Sequence, residues 1–220
     1  MRIVTTLAQF LLASVTTAHA GVIRRTVRVP MLTGETHPFQ PYAGKASSLP
    51  GHTRPARGRV SDAVISIDAL PDDVAAALPE YKGARQLAQR DQTFVPRVVS
   101  VPAGTEVDFP NQDPIYHNVF SVSPPARFDL GKYPRGQSRR VRMAKAGLVK
   151  VFCDIHSDMA AFVVVLPNRA FVRPNEDGTY RLPELPPGRY TLTWWHPDFP
   201  GAKRELVLPA SGDVDVDVAF

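Results

Sequence analysis

The single cysteine of this chain, Cys153, lies in Val151-Phe152-Cys153-Asp154-Ile155-His156-Ser157-Asp158-Met159, which puts a thiolate, an imidazole and a thioether within one short stretch. These are soft or borderline donors of the kind that suit copper. A second imidazole, His117, stands far upstream in Ile115-Tyr116-His117-Asn118-Val119-Phe120. If one ion is to meet all four donors, the strand that begins at His117 must converge with the strand that ends at Cys153. That demand selects a layered fold with its donors fixed at one end. A trigonal Cys and two His with a weak axial Met is the arrangement of a blue-copper electron-transfer site.

The surrounding sequence divides into strand-sized pieces at 97–101, 105–109, 117–123, 138–144, 148–153 and 160–166. Pro102-Ala103-Gly104, residues 111–114, Pro124-Pro125 and Lys145-Ala146-Gly147 supply the turns. With 22 prolines in 220 residues and only short apolar runs, the chain is expected to be all-β, with the strand spacing of a Greek-key sandwich. Phe120, Phe152 and Phe162 are expected to exclude water from the donors. Two short helices are expected, at 72–78 with an N-cap aspartate and at 84–90. Zinc would accept the Cys and His donors, but a thioether is unusual for it. No recognisable nucleophile motif supports a Cys/His hydrolase.

The Cys153/His156/Met159 loop with the remote His117 resembles the type 1 copper site of the cupredoxins, and the loop is similar in length to the short ligand loop of amicyanin. Phe94-Val95-Pro96, the stretch Val101-Pro102-Ala103-Gly104-Thr105-Glu106-Val107-Asp108-Phe109, Asn111-Gln112-Asp113 and His117-Asn118 extend the resemblance. It points to periplasmic, methylamine-utilisation-like cupredoxins that carry a carboxypeptidase-regulatory-like segment after the copper domain. The resemblance implies one type 1 copper ion, cycling between Cu(I) and Cu(II), held by His117, Cys153, His156 and Met159. It also implies that Asn118, next to the upstream ligand, helps to tie the two ligand loops together. The implied function is a shuttle of single electrons between redox proteins, such as a c-type cytochrome or a periplasmic dehydrogenase, and not an enzyme. Periplasmic copper binding, storage or delivery without electron transfer is the alternative.

Residues 1–20 read as a secretory signal peptide: Arg2, an apolar run at 7–13, and Ala18-His19-Ala20 as a small-x-small cleavage site. The apolar run is well short of the roughly 20 residues that cross a bilayer, so the mature chain is expected in the periplasm without a membrane span. A lone thiol in an oxidising compartment is a liability unless a metal holds it. This favours a metal site independently of the motif.

Residues 21–58 are expected to form an N-terminal segment and linker that lends a strand, with His37 and His52 solvated. Residues 59–167 are assigned to the cupredoxin domain. Residues 168–220, through DGTYRLPELPPGRYTLTWWHP, resemble a small transthyretin-like, carboxypeptidase-regulatory-like β-sandwich. That segment is short for a sandwich, so strands near 24–29 or 60–67 are expected to complete it. Val214, Val216 and Val218 alternate with Asp213, Asp215 and Asp217 as a half-buried strand, and His196 is read as a structural strand-end residue.

A formal charge of +5, with no nucleic-acid module and no basic helix, gives no reason to expect nucleic acid. Between Lys132 and Lys150 there are seven basic residues and no acidic one, on what reads as the hairpin feeding Cys153. Arg139, Arg140 and Arg142 are therefore candidates for docking an acidic redox partner. A solvated face, or an internal interface with Asp213, Asp215 and Asp217, are the other two readings.

Overall fold

The computed structural model describes residues 20–30 and 57–220. The expected signal peptide up to residue 19, and both His37 and His52, lie outside the described residues. No described helix is long and apolar enough to cross a membrane.

The strands, in chain order, begin with β1 (Ile23–Arg28), β2 (Val64–Ile67), β3 (Ala88–Arg90), β4 (Thr93–Val95), β5 (Val98–Pro102) and β6 (Thr105–Pro110). They continue with β7 (His117–Ser123), β8 (Ala126–Tyr133), β9 (Ser138–Met143), β10 (Gly147–Phe152) and β11 (Ala160–Leu166). The remainder are β12 (Phe171–Val172), β13 (Thr179–Arg181), β14 (Gly188–Trp195), β15 (Ala202–Leu208), β16 (Val214–Asp215) and β17 (Val218–Ala219). One short helix, α1 (Asp72–Ala77), follows β2.

Alternation with period two sorts the strand side chains onto opposite faces. From β10 and β11, Val149, Val151, Ala161, Val163 and Val165 turn inward to a core shared with Phe94, Val107, Phe109, Val119, Tyr133 and Met143. This core lies between the sheet β5-β11-β10-β7-β8 and the pairs β6–β9 and β3–β4. The two pairs adjoin, since Gln86 bridges to Asp108 and Gln89 to Asn111. Val98, Phe162, Val164 and Leu166 turn outward and pack against Val64 and Phe171, with Trp195 and Tyr81 alongside. The β5–β11 side of the sheet is thus covered on both faces, which is why β11 reads as an unbroken apolar run.

A second sandwich lies beyond that outward face. Its sheet β12-β2-β14-β15 is separated from β13-β1-β16, with β17 also on β1, by a core that includes Ile23, Ile65, Ile67, Leu182, Leu185 and Leu192. Burying each such side chain stabilises the fold by about 1.5–3 kcal/mol. β2 precedes all the strands of the first sandwich in the sequence, yet it pairs with β12 and β14. β1 joins the outermost sheet.

Several expectations are corrected by pairing across the fold. The helix expected at 84–90 is instead β3, which forms a hairpin with β4; burial of Leu87, Ala88 and Gln89 overrides the helix-forming residue types. At α1 the N-cap is Pro71, with no side-chain capping bond, so neither aspartate serves as the cap. β8 is an additional strand, joined to β7 by Pro124-Pro125 as a two-residue turn, with Ser123 opposite Ala126. The stretch 138–152 is not a hairpin, because β9 pairs with β6 whereas β10 pairs with β11 and β7. The chain crosses between sheets at Gly147, whose φ of 140° and closeness to Pro125, 2.6 Å from an added Cβ, both call for glycine. Asp213, Asp215 and Asp217 do not meet the basic stretch; they meet Arg24, Arg25 and Thr26 of β1.

Candidate metal centre

β7 and β10 run antiparallel, with Phe120 opposite Phe152, so the loop leaving β10 at Cys153 passes the start of β7, where His117 sits. The loop folds back on itself: the Met159 N–H donates to the His156 carbonyl and the Cys153 N–H to the Met159 carbonyl. Two remote segments therefore present their donors at one end of the sandwich. Cys153 Sγ lies 3.8 Å from His117 Nδ1 and 3.8 Å from His156 Nδ1. All three donor atoms fall within 4.8 Å of one another. His117, Cys153 and Met159 are 0% exposed, and Met159 packs in the same core cluster as Cys153. His156 is half-buried, so it forms the edge of the site toward solvent.

His117 Nε2 lies 2.7 Å from Asp113 Oδ2. A carboxylate oxygen can only accept, so Nε2 carries the proton and Nδ1 offers a lone pair toward Cys153. Around the sulfur, then, the His117 lone pair and the thiol are joined by a second imidazole nitrogen, His156 Nδ1, also 3.8 Å from Sγ. Such a cluster fits a cation. Bonds of roughly 2.3 Å to sulfur and 2.0 Å to nitrogen, at a trigonal angle, would separate the donors by roughly 3.7 Å. That is close to the observed spacing. The soft donor set, with the Met159 thioether buried in the same cluster, favours copper over harder ions.

Asp113 was not singled out from sequence. The available signal was an acidic residue four positions before His117, in the turn-forming Asn111-Gln112-Asp113-Pro114. Asn118 is buried, and its Oδ1 has no hydrogen-bond partner among the described residues, so it does not tie the ligand loops through that oxygen. The three phenylalanines do not surround the donors. Their immediate neighbours in sequence, Val119, Val151, Ala161 and Val163, occupy the inner core, which leaves Phe120, Phe152 and Phe162 on the outward face. Cys153 belongs instead to the inner core that includes Phe94, Phe109, Met143 and Tyr133. The Tyr133 hydroxyl donates to the Phe109 carbonyl and accepts from Gln89, and burial pushes its pKa up to about 12.

The basic strand β9 carries its own acidic partners. Arg140 Nε lies 3.7 Å from Asp108 Oδ1, Arg142 is opposite Glu106 in the ladder, and the Arg139 guanidinium lies 5.0 Å from the Tyr133 ring centre.

A β-sandwich with one His at the start of a strand, and a Cys-His-Met loop on its antiparallel neighbour, decides the fold. The first sandwich has a cupredoxin-like fold. No family model and no curated protein sequence matches the chain. Among solved structures, the chain is similar to amicyanin from Paracoccus versutus, with 22% identity and a TM-score of 0.35 over 46% of this chain and 96% of that one. It is also similar to a purple cupredoxin from Nitrosopumilus maritimus, with 21% identity and a TM-score of 0.34 over 38% of this chain and 99% of that one. A Cu-containing nitrite reductase from Thermus scotoductus matches with 23% identity and a TM-score of 0.36, over 44% of this chain. The chain spans only 27% of that reductase.

Proposed function

We propose that this protein is an exported blue-copper carrier of single electrons, with no turnover of its own. The observation that carries the reading is the buried Cys153 sulfur, 3.8 Å from two imidazole nitrogens, with Met159 in the same cluster. His117, Cys153, His156 and Met159 would hold the ion, and copper bound there supplies a one-electron couple between Cu(I) and Cu(II). The chain's contribution is rigidity. His117 and Cys153 sit on antiparallel neighbours in the sheet, and hydrogen bonds within the loop brace His156 and Met159. Donors held in this way need little rearrangement when the charge changes.

Burial of the other three donors leaves His156 as the path to a partner. Tyr116, 58% exposed, and Ile155, 43% exposed, lie next to the ligands in sequence and offer an apolar surface on which a redox protein can dock. A c-type cytochrome or a periplasmic dehydrogenase is the proposed partner, with Arg139 as the principal docking cation, because Arg140 and Arg142 already face Asp108 and Glu106. Electron transfer is favoured over storage or delivery because a site with three donors at 0% exposure gives copper poor access for exchange.

The test is the visible spectrum of the copper-loaded protein. The oxidised form is expected to be intensely coloured and to bleach reversibly with one electron per chain. Cys153→Ser should abolish the colour, whereas Met159→Leu should keep it and raise the potential. An unchanged spectrum in Cys153→Ser would overturn the assignment.

A further inference from the structure

The Asp113 carboxylate makes a second set of contacts besides the one to His117. Its Oδ1 accepts the Asp91 N–H at 2.5 Å, and its Oδ2 accepts the Gln92 N–H at 2.9 Å. Asp91 and Gln92 are the two turn residues between β3 and β4, and both have φ of 54°. A two-residue hairpin turn of this kind favours Asn or Asp followed by glycine. Here a glutamine occupies the second position and bears the strain of the left-handed region. The loop that carries Asp113 is fastened to the same hairpin: the Gln112 N–H donates to the Gln89 carbonyl, and the Gln89 side-chain amide donates to the Phe109 carbonyl. The Asp113 N–H is bound in turn by Asn111 Oδ1. Three donors, two main-chain amides and the imidazole, thus converge on one carboxylate that is almost fully buried.

We propose that the Asp91-Gln92 turn is a built part of the metal centre, whose paired amides seat the Asp113 carboxylate and thereby fix His117 with Nδ1 toward Cys153. These are positioning residues, acting on the ion through Asp113 and His117. The inference rests on the copper reading for its purpose, but not for its geometry. Without the seat the carboxylate is free to rotate, and the His117 ring loses the partner that sets both its tautomer and its orientation.

The test uses the full chain, first without metal and then loaded with copper. In metal-free protein labelled with 15N at histidine, NMR should show His117 protonated at Nε2, with slow exchange of that proton. Inserting two glycines between Asp91 and Gln92 carries the amides away, and should speed the exchange by at least about tenfold, as expected for loss of a charge-assisted hydrogen bond. Asp91→Asn combined with Gln92→Gly keeps both amides in a turn those residues favour, and should retain slow exchange. Asp113→Asn leaves one acceptor oxygen for three donors and should match the insertion. Combining it with the insertion should add little further change. After copper loading, the insertion and Asp113→Asn should both raise the potential, because a less basic imidazole stabilises Cu(II) less. If the insertion leaves His117 exchange unaltered while cross-strand NMR contacts show β3 and β4 still paired, the proposal is overturned. Additive effects of the insertion and Asp113→Asn would overturn it as well, including where the insertion disturbs the hairpin. A colourless copper-loaded wild type would defeat the copper reading while the metal-free result stood.

Discussion

His117 and His196 are both buried, at 0% and 3% exposure, and each sits in a polar cluster. Around His196, in the seam between the sandwiches, both ring nitrogens find partners within the chain. Its Nε2–H donates to the Arg59 carbonyl, and its Nδ1 accepts the Asp198 N–H. Arg97 grips Asp198 through two bonds, of 2.6 and 2.7 Å, and Arg173 donates to the carbonyls of Ser61 and Val98. Around Cys153, by contrast, the sulfur and two imidazole nitrogens face one another, all within 4.8 Å. The first cluster is held by guanidinium groups, whereas the second offers a donor set that a cation from outside would complete. The difference teaches that burial and polarity do not distinguish a candidate site from a structural joint; the kind of group that each buried ring faces does.

The hardest blow to this comparison is Arg97→Ala. It strips Asp198 of its cation and leaves Asp62 with Arg173 in a nearly closed environment, and should destabilise the protein by about 3–5 kcal/mol in chemical denaturation. The copper spectrum of the still-folded fraction should not change. Loss of the spectrum alongside stability would show that the two clusters are one unit.

A smaller effect, with a sign to check, separates two aspartates of the seam. Burial raises the Asp62 pKa above its ordinary value, outweighing Arg97 and Arg173, and Asp62 Oδ2 has no hydrogen-bond partner among the described residues. Burial also pushes Asp198 upward, but the hydrogen bonds from Arg97 and from the Gly58 N–H win, and its pKa is lowered. Asp198 therefore contributes stability above about pH 3.8 that is lost on acidification, whereas any contribution from Asp62 is lost as the pH rises through its folded pKa. At pH 7, Asp198→Asn should cost about 1–3 kcal/mol. Asp62→Asn should leave stability level or higher, and equal losses in urea titrations of the two variants would refute the contrast.

The smallest effect belongs to His196 itself. Burial lowers its pKa below 6.5, so as the pH falls the unfolded chain takes up the proton first. Its contribution is present above pH 6.5 and declines below that. His196→Gln should flatten the dependence of the urea midpoint between pH 7.5 and 5.5, and leave copper binding untouched. A His196→Gln protein with the wild-type slope would assign that dependence to another group.

The grouping of the candidate donors was legible because its chemistry is local: Cys153, His156 and Met159 share one loop, and His117 declares itself by matching them. The core of the first sandwich was legible too, since β5, β6, β7, β9, β10 and β11 fall in the strand-sized, turn-bounded pieces of the sequence. The seam was not legible. Arg97 and Asp198 meet across 101 positions, and no local pattern marks such a pair. Residues 84–90 misled because their side chains favour helix, whereas the pairing of β3 with β4 and the burial of Gln89 decide the outcome. The basic stretch misled in another way, because alternation along β9 and β10 does not reveal that they belong to different sheets.

The pairing of β1 also has a consequence in time. All its partners, β13, β16 and β17, lie at residue 179 or later. A chain emerging from its N-terminal end must therefore hold β1 unpaired while nearly everything else appears, although the strands that build the metal centre have all emerged by residue 166. The first sandwich can assemble while the second still waits for its last strands. During that wait β1 is an open edge, the kind of segment that seeds aggregation. Arg24 and Arg25 at its middle are suited to guard it, and once Asp213, Asp215 and Asp217 arrive the same charges become the latch that closes the second sandwich.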